Sequence, residues 1–348
     1  MSLPLFGRRR LAAGELVQVR PLQEILATLT PAGDREGLPF MPEMAQYCGL
    51  RFQVFKRVHK SCDLQHGLGG VRTGRLVSLT GVRCDGSAHG GCEASCMALW
   101  HEDWLERVAA PLSKAPPAGD DRAAAAPAVF PESWTVKPER GENGAIRYRC
   151  QVTEQPAYTK PLGPFEFGQY IEDYLSGNVT AREFIGGTLR TLYRLVLETG
   201  VGYRFWVALY NAIQRRRGGL QHPYVQGTLT GTPVERLDLR VGEWVRIRPF
   251  TEIMGTLDTK NKNRGLWFVP QEMGEYCGRE ARVAKRVNRI LNERTGEMIE
   301  FKTPSVMLDD VYCRGVAIPK RVFCPRASAL FWREIWLERI ERPGKPGP

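Results

Sequence analysis

GELVQVRPLQEILATL, residues 14–29, and GEWVRIRPFTEIMGTL, residues 242–257, are two copies of one pattern, and that duplication organises the whole chain. In each copy GELVQVR or GEWVRIR alternates apolar with polar residues, the period of a half-buried strand. Working outward, GLPFMPEMAQYCG from Gly37 is answered by GLWFVPQEMGEYCG from Gly265, with one extra residue in the second. FKRV from Phe55 is answered by AKRV from Ala284, and LWHEDWLERV from Leu99 by FWREIWLERI from Phe331. Trp100 therefore matches Trp332, and Trp104 matches Trp336. Four matched blocks in the same order mark an internal repeat of about 95–100 residues per copy.

Each copy reads as strands first. The turn-rich segments TPAGDREG (30–37) and TKNKNRG (259–265) separate the first strand from the next block. RFQVFKRVHK and ARVAKRVNRI alternate again, followed by RLVSLTGV in copy one and EMIEFKT in copy two. Short strands joined by tight turns predict a small barrel. The closing WxxxWLER block places two tryptophans at i, i+4, so a Trp-bearing helix is expected to close each barrel with its tryptophans in the core. The order of elements resembles SH3-like barrels of the translation-protein kind: a basic-flanked first strand, a Pro-containing segment (38–44; 266–273), then a Tyr-Cys-Gly turn into a strand. Such barrels serve as RNA-binding modules, interaction modules and enzyme subunits, so the resemblance carries a fold and no function.

Between the copies the composition changes. APLSKAPPAGDDRAAAAPAVF (110–130) is a linker composition. AIRYRCQVTE (145–154) reads as a short strand and FEFGQYIEDYL (165–175) as a short helix. Ser176–Asn178 starts a second helix and Gly200–Gly202 divides it from a third, which ends at Arg215–Gly218. The expected class is α+β: two duplicated SH3-like β-barrels, each closed by a Trp-bearing helix, separated by a helical insert. The expected divisions are a first barrel over 1–109, an Ala/Pro-rich linker over 110–140, a helical middle section over 141–220 and a second barrel over 221–348.

The 348 residues are 43% hydrophobic and 25% charged, which excludes a disordered or collagen-like chain. The most apolar stretch, Leu192–Tyr210, contains Arg194, Glu198 and Arg204 and does not read as a membrane span. MSLPLFGRRRLAAGE lacks the order of a secretory signal, so the expectation is a soluble cytoplasmic protein with no membrane partner. Lys plus Arg is 49 against 38 for Asp plus Glu, a formal charge of +11, which suits an anionic partner such as nucleic acid or a phosphorylated metabolite. Nine cysteines, an odd number, in a long chain argue against a disulfide framework and for ligands or reactive thiols.

One segment concentrates that chemistry. RCDGSAHGGCEASCMALW places Cys84, His89, Cys92 and Cys96 in the spacing C-x4-H-x2-C-x3-C. Cys92 and Cys96 are at i, i+4, expected on one side of a helix. The Gly90–Gly91 pair lets the backbone fold back so that His89 and Cys84 approach. Three thiolates and an imidazole suit tetrahedral zinc. An iron–sulfur cluster usually requires four cysteines, and Cys62 or Cys150 would supply the fourth. The repeat offers an internal control. Aligned on the tryptophans, copy two has Arg321 for His89, Cys324 for Cys92 and Ser328 for Cys96, with Cys313 three residues out of register with Cys84. A metal confined to copy one favours a functional site over a structural staple. Cys48 and Cys277 share the same Tyr-Cys-Gly turn and read as small buried apolar groups. Glu24 and Glu252 read as ion-pair partners of Arg20 and Arg248, and His59 and His66 as surface or loop histidines.

The block RCDGxAHGGCxxxC (Arg83–Cys96), with GLPFMPEM (Gly37–Met44) and Y-x-C-Q-x-T-E (Tyr148–Glu154), resembles a family of uncharacterised bacterial proteins. The likeness spans most of residues 15–180, implies no particular activity, and sets Cys150 within a motif. Walker-type loops, G-x-S-x-G elbows and H-E-x-x-H are missing. The expected function is a cytoplasmic metalloprotein, zinc or iron–sulfur, acting as a catalytic or accessory component of a biosynthetic pathway on a small-molecule substrate or a pathway protein. The alternative is a nucleic-acid-binding or protein-scaffold module with a structural zinc.

Overall fold

The structure is a computed structural model, and it describes residues 9–65, 69–108, 129–163, 165–198, 200–217, 221, 226–315 and 322–341. The chain divides into two compact units. The first comprises Met1–Ala181, Arg289–Ile299 and Phe323–Arg326; the second comprises Arg182–Asn288, Glu300–Val322 and Ala327–Pro348.

In the first unit β1 (Leu16–Val19) leads through α1 (Leu22–Leu26) to a small hairpin, β2 (Asp34–Arg35) and β3 (Leu38–Pro39). After a 3-10 segment, Pro42–Tyr47, come β4 (Arg51–Arg57), β5 (Lys60–Cys62), β6 (Gly70–Thr73), β7 (Leu76–Arg83), β8 (Met97–His101) and β9 (Leu105–Arg107). α2 (Gln155–Tyr158), β10 (Thr159–Leu162) and α3 (Gly168–Leu175) complete it. The main sheet has the order β8-β7-β4-β1-β9, and β10-β6-β5 form a second sheet. The second unit begins with α4 (Ala181–Glu198) and α5 (Tyr203–Arg217). Then follow β11 (Trp244–Ile247), α6 (Phe250–Met254), β12 (Lys262–Asn263), β13 (Leu266–Trp267), α7 (Pro270–Met273), β14 (Glu280–Leu291), β15 (Met298–Leu308) and β16 (Leu337–Arg339). Its sheet order is β15-β14-β11-β16.

Each half thus holds a curled half-barrel sheet; β15-β14-β11-β16 corresponds to β7-β4-β1-β9, while the place of β8 is taken by an isolated bridge at Trp332. Val17 faces Phe52 and Arg107 across its neighbours; Val245 faces Ala281 and Arg339. The cores correspond as well. Phe40 sits edge-on to Trp100 and Trp104 at centroid distances of 6.4 and 5.4 Å; Phe268 sits edge-on to Trp332 and Trp336 at 6.3 and 5.4 Å. Burying such rings supplies both a large apolar area and a preferred edge-to-face geometry. Trp104 Nε1 donates to Thr28 Oγ1 at 3.0 Å, and Trp336 Nε1 donates to Thr256 Oγ1 at 3.0 Å.

The tryptophans reach the core by a route other than the expected helix. Trp100 lies on β8, paired with Val77 of β7, and Trp104 on the single 3-10 turn Glu102–Trp104 that follows. In the second half Trp332 bridges Val306 through reciprocal backbone hydrogen bonds of 2.9 and 2.8 Å, and Trp336 ends the turn Glu334–Trp336. A spacing of four puts two side chains on one face of a helix, but a strand followed by a tight turn does the same. Here the neighbouring strand claims the backbone groups. AIRYRCQVTE is likewise not a strand: Tyr148 makes one bridge to Val136, and Cys150–Glu154 turns, with Thr153 Oγ1 accepting from Cys150 N at 2.9 Å. The end of the expected linker is folded onto the first unit, where Trp134 Nε1 donates to Pro31 O at 3.2 Å; residues 109–128 lie outside the described residues. α3 belongs to the first unit and nearly all of α4, with α5, to the second. Among the described residues no helix is long and apolar enough to cross a membrane.

Candidate metal centre

Three segments of the first unit bring side chains together. The first is the 3-10 segment Pro42–Tyr47, begun by Pro42, whose fixed φ and missing N–H suit a helical first position. It carries Glu43, which is only 8% exposed. The second is the end of β7, where Cys84 N donates to Cys96 O at 2.8 Å. The third is the turn after it, closed by His89 N and Gly91 N on Gly86 O at 3.2 and 2.9 Å. Gly86 and Gly90 have φ of +79° and +72°; a Cβ on Gly86 would meet Cys92 O at 1.9 Å, and one on Gly90 would meet the Tyr148 ring at 2.6 Å. No other residue fits either position without displacing a neighbour, so these glycines fix where His89 lies.

The result is a compact triad. Cys84 Sγ lies 3.4 Å from Glu43 Oε1 and 3.4 Å from His89 Nε2, and His89 Nδ1 lies 3.5 Å from Glu43 Oε1. One ligand atom from each of the three residues falls within 4.8 Å of the others. His89 is 2% exposed, and two atoms in the cluster, Glu43 Oε2 and His89 Nδ1, are buried without a hydrogen-bond partner.

Burial sets the protonation of all three. It pushes the Glu43 carboxyl up to about 7, against the pull of its own backbone N–H and the Cys84 thiol. It lowers His89 to about 4, with Asp85 opposing, so the imidazole is neutral. It raises the Cys84 thiol well above its usual range, helped by the negative charge available to Glu43, Cys96 and Cys150. A carboxyl, a thiol and a neutral imidazole in one apolar recess are uncompensated as anions and under-bonded as neutral groups. The three groups could hold a divalent cation, which would resolve both.

The sequence placed two of these three. Cys84 and His89 converge as expected, through the glycine turn. Glu43 was not singled out, although it sits in a matched block and its counterpart Glu272 recurs in the second copy. A carboxylate kept among Pro, Phe and Met in both copies was the available signal. The other four candidates lie outside the triad. Cys92 and Cys96 are on extended loop rather than the expected helix. Cys92 Sγ accepts from Leu291 N at 3.4 Å. Cys96 is hydrogen-bonded to Arg326, whose Nη1 also lies 3.7 Å from Cys62 Sγ and whose Nη2 donates to Glu293 Oε1 at 2.9 Å. Cys150 is buried, and its thiol is pushed up to about 12 by that burial.

The second copy corrects the alignment. Cys313 N donates to Ser328 O at 2.8 Å, the counterpart of the Cys84–Cys96 bond, so Cys313 stands in register with Cys84. The apparent three-residue slip is an insertion in the following loop: twelve positions separate Cys84 from Cys96 and fifteen separate Cys313 from Ser328. Arg321 lies outside the described residues, as does His66. Glu272 is buried like Glu43, but its Oε2 accepts from Arg314 N at 3.0 Å.

The remaining groups have structural roles. Cys48 and Cys277 are desolvated thiols, raised to about 11 and about 12 by burial. Glu24 and Glu252 pair with Arg20 and Arg248 at 3.0 and 3.8 Å. His59 is not at the surface: it is buried, with Nε2 3.1 Å from Gln169 O and 3.3 Å from Asp173 Oδ1, beside the Lys60–Asp173 ion pair. No protein-family profile matches the chain, and neither a curated protein nor a solved structure matches it.

Proposed function

We propose that the protein is a zinc metalloprotein whose centre is formed by Glu43, Cys84 and His89. The observation that carries this reading is the triad's spacing. Zn–S bonds of about 2.3 Å and Zn–N or Zn–O bonds of about 2.0–2.1 Å, at tetrahedral angles, hold ligand atoms about 3.3–3.6 Å apart. The two contacts of Cys84 Sγ are 3.4 Å each. The unbonded Glu43 Oε2 supports it further, since a cation would offset the cost of burying it. One sulfur, one nitrogen and one oxygen favour zinc over an iron–sulfur cluster, which is held by thiolates.

Three protein ligands leave a fourth position for water or substrate, the pattern of catalytic rather than structural zinc. Zinc there would lower the pKa of a bound water and polarise a substrate carbonyl or phosphoryl oxygen. Glu43 and Cys84 bind as anions and His89 as the neutral imidazole its burial already enforces. On this reading the RCDGxAHGGC segment shared with the resembling bacterial family is the metal loop. The barrels are SH3-like supports on this reading, which rests on the order of elements along each copy. Nine free thiols fit a reducing, cytoplasmic setting.

The test is metal analysis of the purified chain, followed by cobalt substitution. One metal per chain and a sulfur-to-cobalt charge-transfer band that disappears in Cys84→Ser are expected. Sub-stoichiometric metal with only millimolar zinc affinity would refute the proposal. A brown protein with labile sulfide would replace zinc by a cluster.

A further inference from the structure

The second half-barrel holds a small cavity of about 90 Å³ whose lining includes Arg236, Asp238, Asn263, Arg286, Arg333 and Glu334. Arg333 is its unusual member. It is 5% exposed, and among the described residues no carboxylate pairs with it. Its guanidinium donates instead to backbone and hydroxyl oxygens: Nε to Asn263 O at 3.3 Å, Nη1 to Thr303 O, to Pro304 O at 3.2 Å and to Ser305 Oγ at 3.0 Å, and Nη2 to Arg264 O at 2.8 Å. A guanidinium has five N–H groups, so one on Nη2 is left without an acceptor among these. Buried charges are ordinarily paired, and this one is balanced by dipoles alone. Burial, and then the nearby Arg264, lower its pKa to about 10.

The repeat shows that this is a departure. The matched positions in the first copy are His101 for Arg333, Glu36 for Arg264, Arg35 for Asn263 and Asp103 for Ile335. There the charges cancel locally. Arg35 is paired with Asp103, Arg75 Nη1 lies 3.1 Å from Asp103 Oδ1, and Glu36 Oε2 lies 3.5 Å from His101 Nε2. In the second copy both acids are gone and two arginines have entered, while Pro304 follows where Arg75 stood. The acids that remain near the cavity are largely committed. Glu235 pairs with Arg248 at 3.0 Å. Glu334 accepts from Arg286 and from the N–H groups of Leu237, Asp238 and Leu239. The Arg236 and Arg264 side chains have no partner among the described residues, and Asp238 is the one acid of the lining left to oppose them.

We infer that this cavity is a binding site for a phosphate-class oxyanion, free or as the end group of a small ligand, held by Arg333 and Arg236, which line it, with the charge of the adjacent Arg264 in support. A volume of about 90 Å³ suits one tetrahedral oxyanion group rather than a polymer backbone. A planar guanidinium fork suits phosphate oxygens. The site is independent of the metal triad, so Cys84→Ser should leave it unchanged.

The probe is inorganic phosphate, titrated against the full-length protein by thermal shift and calorimetry, with chloride at equal ionic strength as the reference. Saturable stabilisation by phosphate and by a nucleoside monophosphate is expected, and at least tenfold weaker binding in Arg236→Glu, which reverses the charge of an exposed lining residue. Arg333→His should abolish binding; if that variant does not fold, Arg236→Glu decides. The inference is overturned if phosphate acts no differently from chloride, or if Arg236→Glu binds like wild type. It is also overturned if a single-stranded oligonucleotide binds through these arginines while phosphate and the monophosphate do not.

Discussion

Glu43 and Glu272 hold the same place in the two copies, on the short helical segment that follows the first hairpin, and both are buried. Glu272 is satisfied by the backbone N–H of Arg314. Glu43 meets a thiol and an imidazole and keeps one oxygen unbonded. The barrel that carries them is the same; the loop after the matched cysteine differs. In the first copy that loop is short and rich in glycine and delivers His89. In the second it is three residues longer by comparison of the flanking positions. The opposite exchange occurs around Arg333, where the second copy lost both acids while keeping two arginines and the first kept balanced pairs. Duplication preserved the strands and let each copy's loops specialise, because loop residues owe little to the shared core.

Metal binding should break this comparison most sharply. Cys84→Ser is expected to lower zinc affinity by a thousandfold or more, an order of magnitude set by the loss of one anionic ligand from a site worth about 10–16 kcal/mol in zinc-finger peptides. Cys313→Ser should leave the metal content unchanged, and so should Cys92→Ser, whose sulfur faces Leu291 N. Equal losses from Cys84→Ser and Cys313→Ser, measured by chelator competition, would mean that the second copy also binds metal. Affinity should rise with pH through neutrality, since Glu43, raised to about 7, and the raised Cys84 thiol must both lose protons to bind.

The cores should behave alike instead. Trp104→Ala and Trp336→Ala remove fully buried rings in matching aromatic clusters, and each should cost about 3–5 kcal/mol in urea denaturation. A twofold difference between them would show that one half-barrel collapses into the space and the other does not.

The paired glutamates should separate under pH. Glu43 in the folded, metal-free chain lies at about 7, above its ordinary value of 4.5. The stability of the neutral form is therefore complete below pH 4.5 and is lost as pH rises through about 7. Glu43→Gln should accordingly stabilise the metal-free protein at pH 8 by up to about 3 kcal/mol, and by little at pH 4. His89 acts in the opposite sense. Its contribution is present above pH 6.5 and is lost as pH falls through about 4. Glu272→Gln keeps an acceptor for the Arg314 N–H, so its cost should stay within about 1 kcal/mol. Chemical denaturation at pH 5 and pH 8, with chelator present, compares the two; a Glu43→Gln variant less stable than wild type at pH 8 would overturn the assignment of an uncompensated carboxyl.

The smallest effect concerns the indole hydrogen bonds. Thr28→Val and Thr256→Val each remove the acceptor of a tryptophan N–H while keeping the shape, and each should cost about 1 kcal/mol. Matching values would extend the equivalence of the two cores to single contacts.

The amino-acid sequence by itself determined the duplication, three strands of each half-barrel (β1, β4, β7 and β11, β14, β15), the aromatic pairs of each core and two of the three groups at the triad. Those features are local or repetitive: alternation marks strands, matched blocks mark equivalent positions, and a Gly-Gly pair between Cys84 and Cys92 marks a loop that folds back. Only the tertiary structure decided the rest. Glu43 lies 41 positions before Cys84, and no spacing rule joins them; they meet because β4 and β7 pair and carry the preceding turn over the end of the sheet. The same pairing made β8 a strand, where four-residue spacing had suggested a helix, since the edge of β7 takes up backbone groups that a helix would have satisfied within itself. Cys92 and Cys96, close to Cys84 in sequence, were turned toward Leu291 and Arg326, partners from the far end of the chain. Proximity along a chain fixes which residues can meet; which of them do meet is settled by the long-range pairing of strands and the burial it imposes.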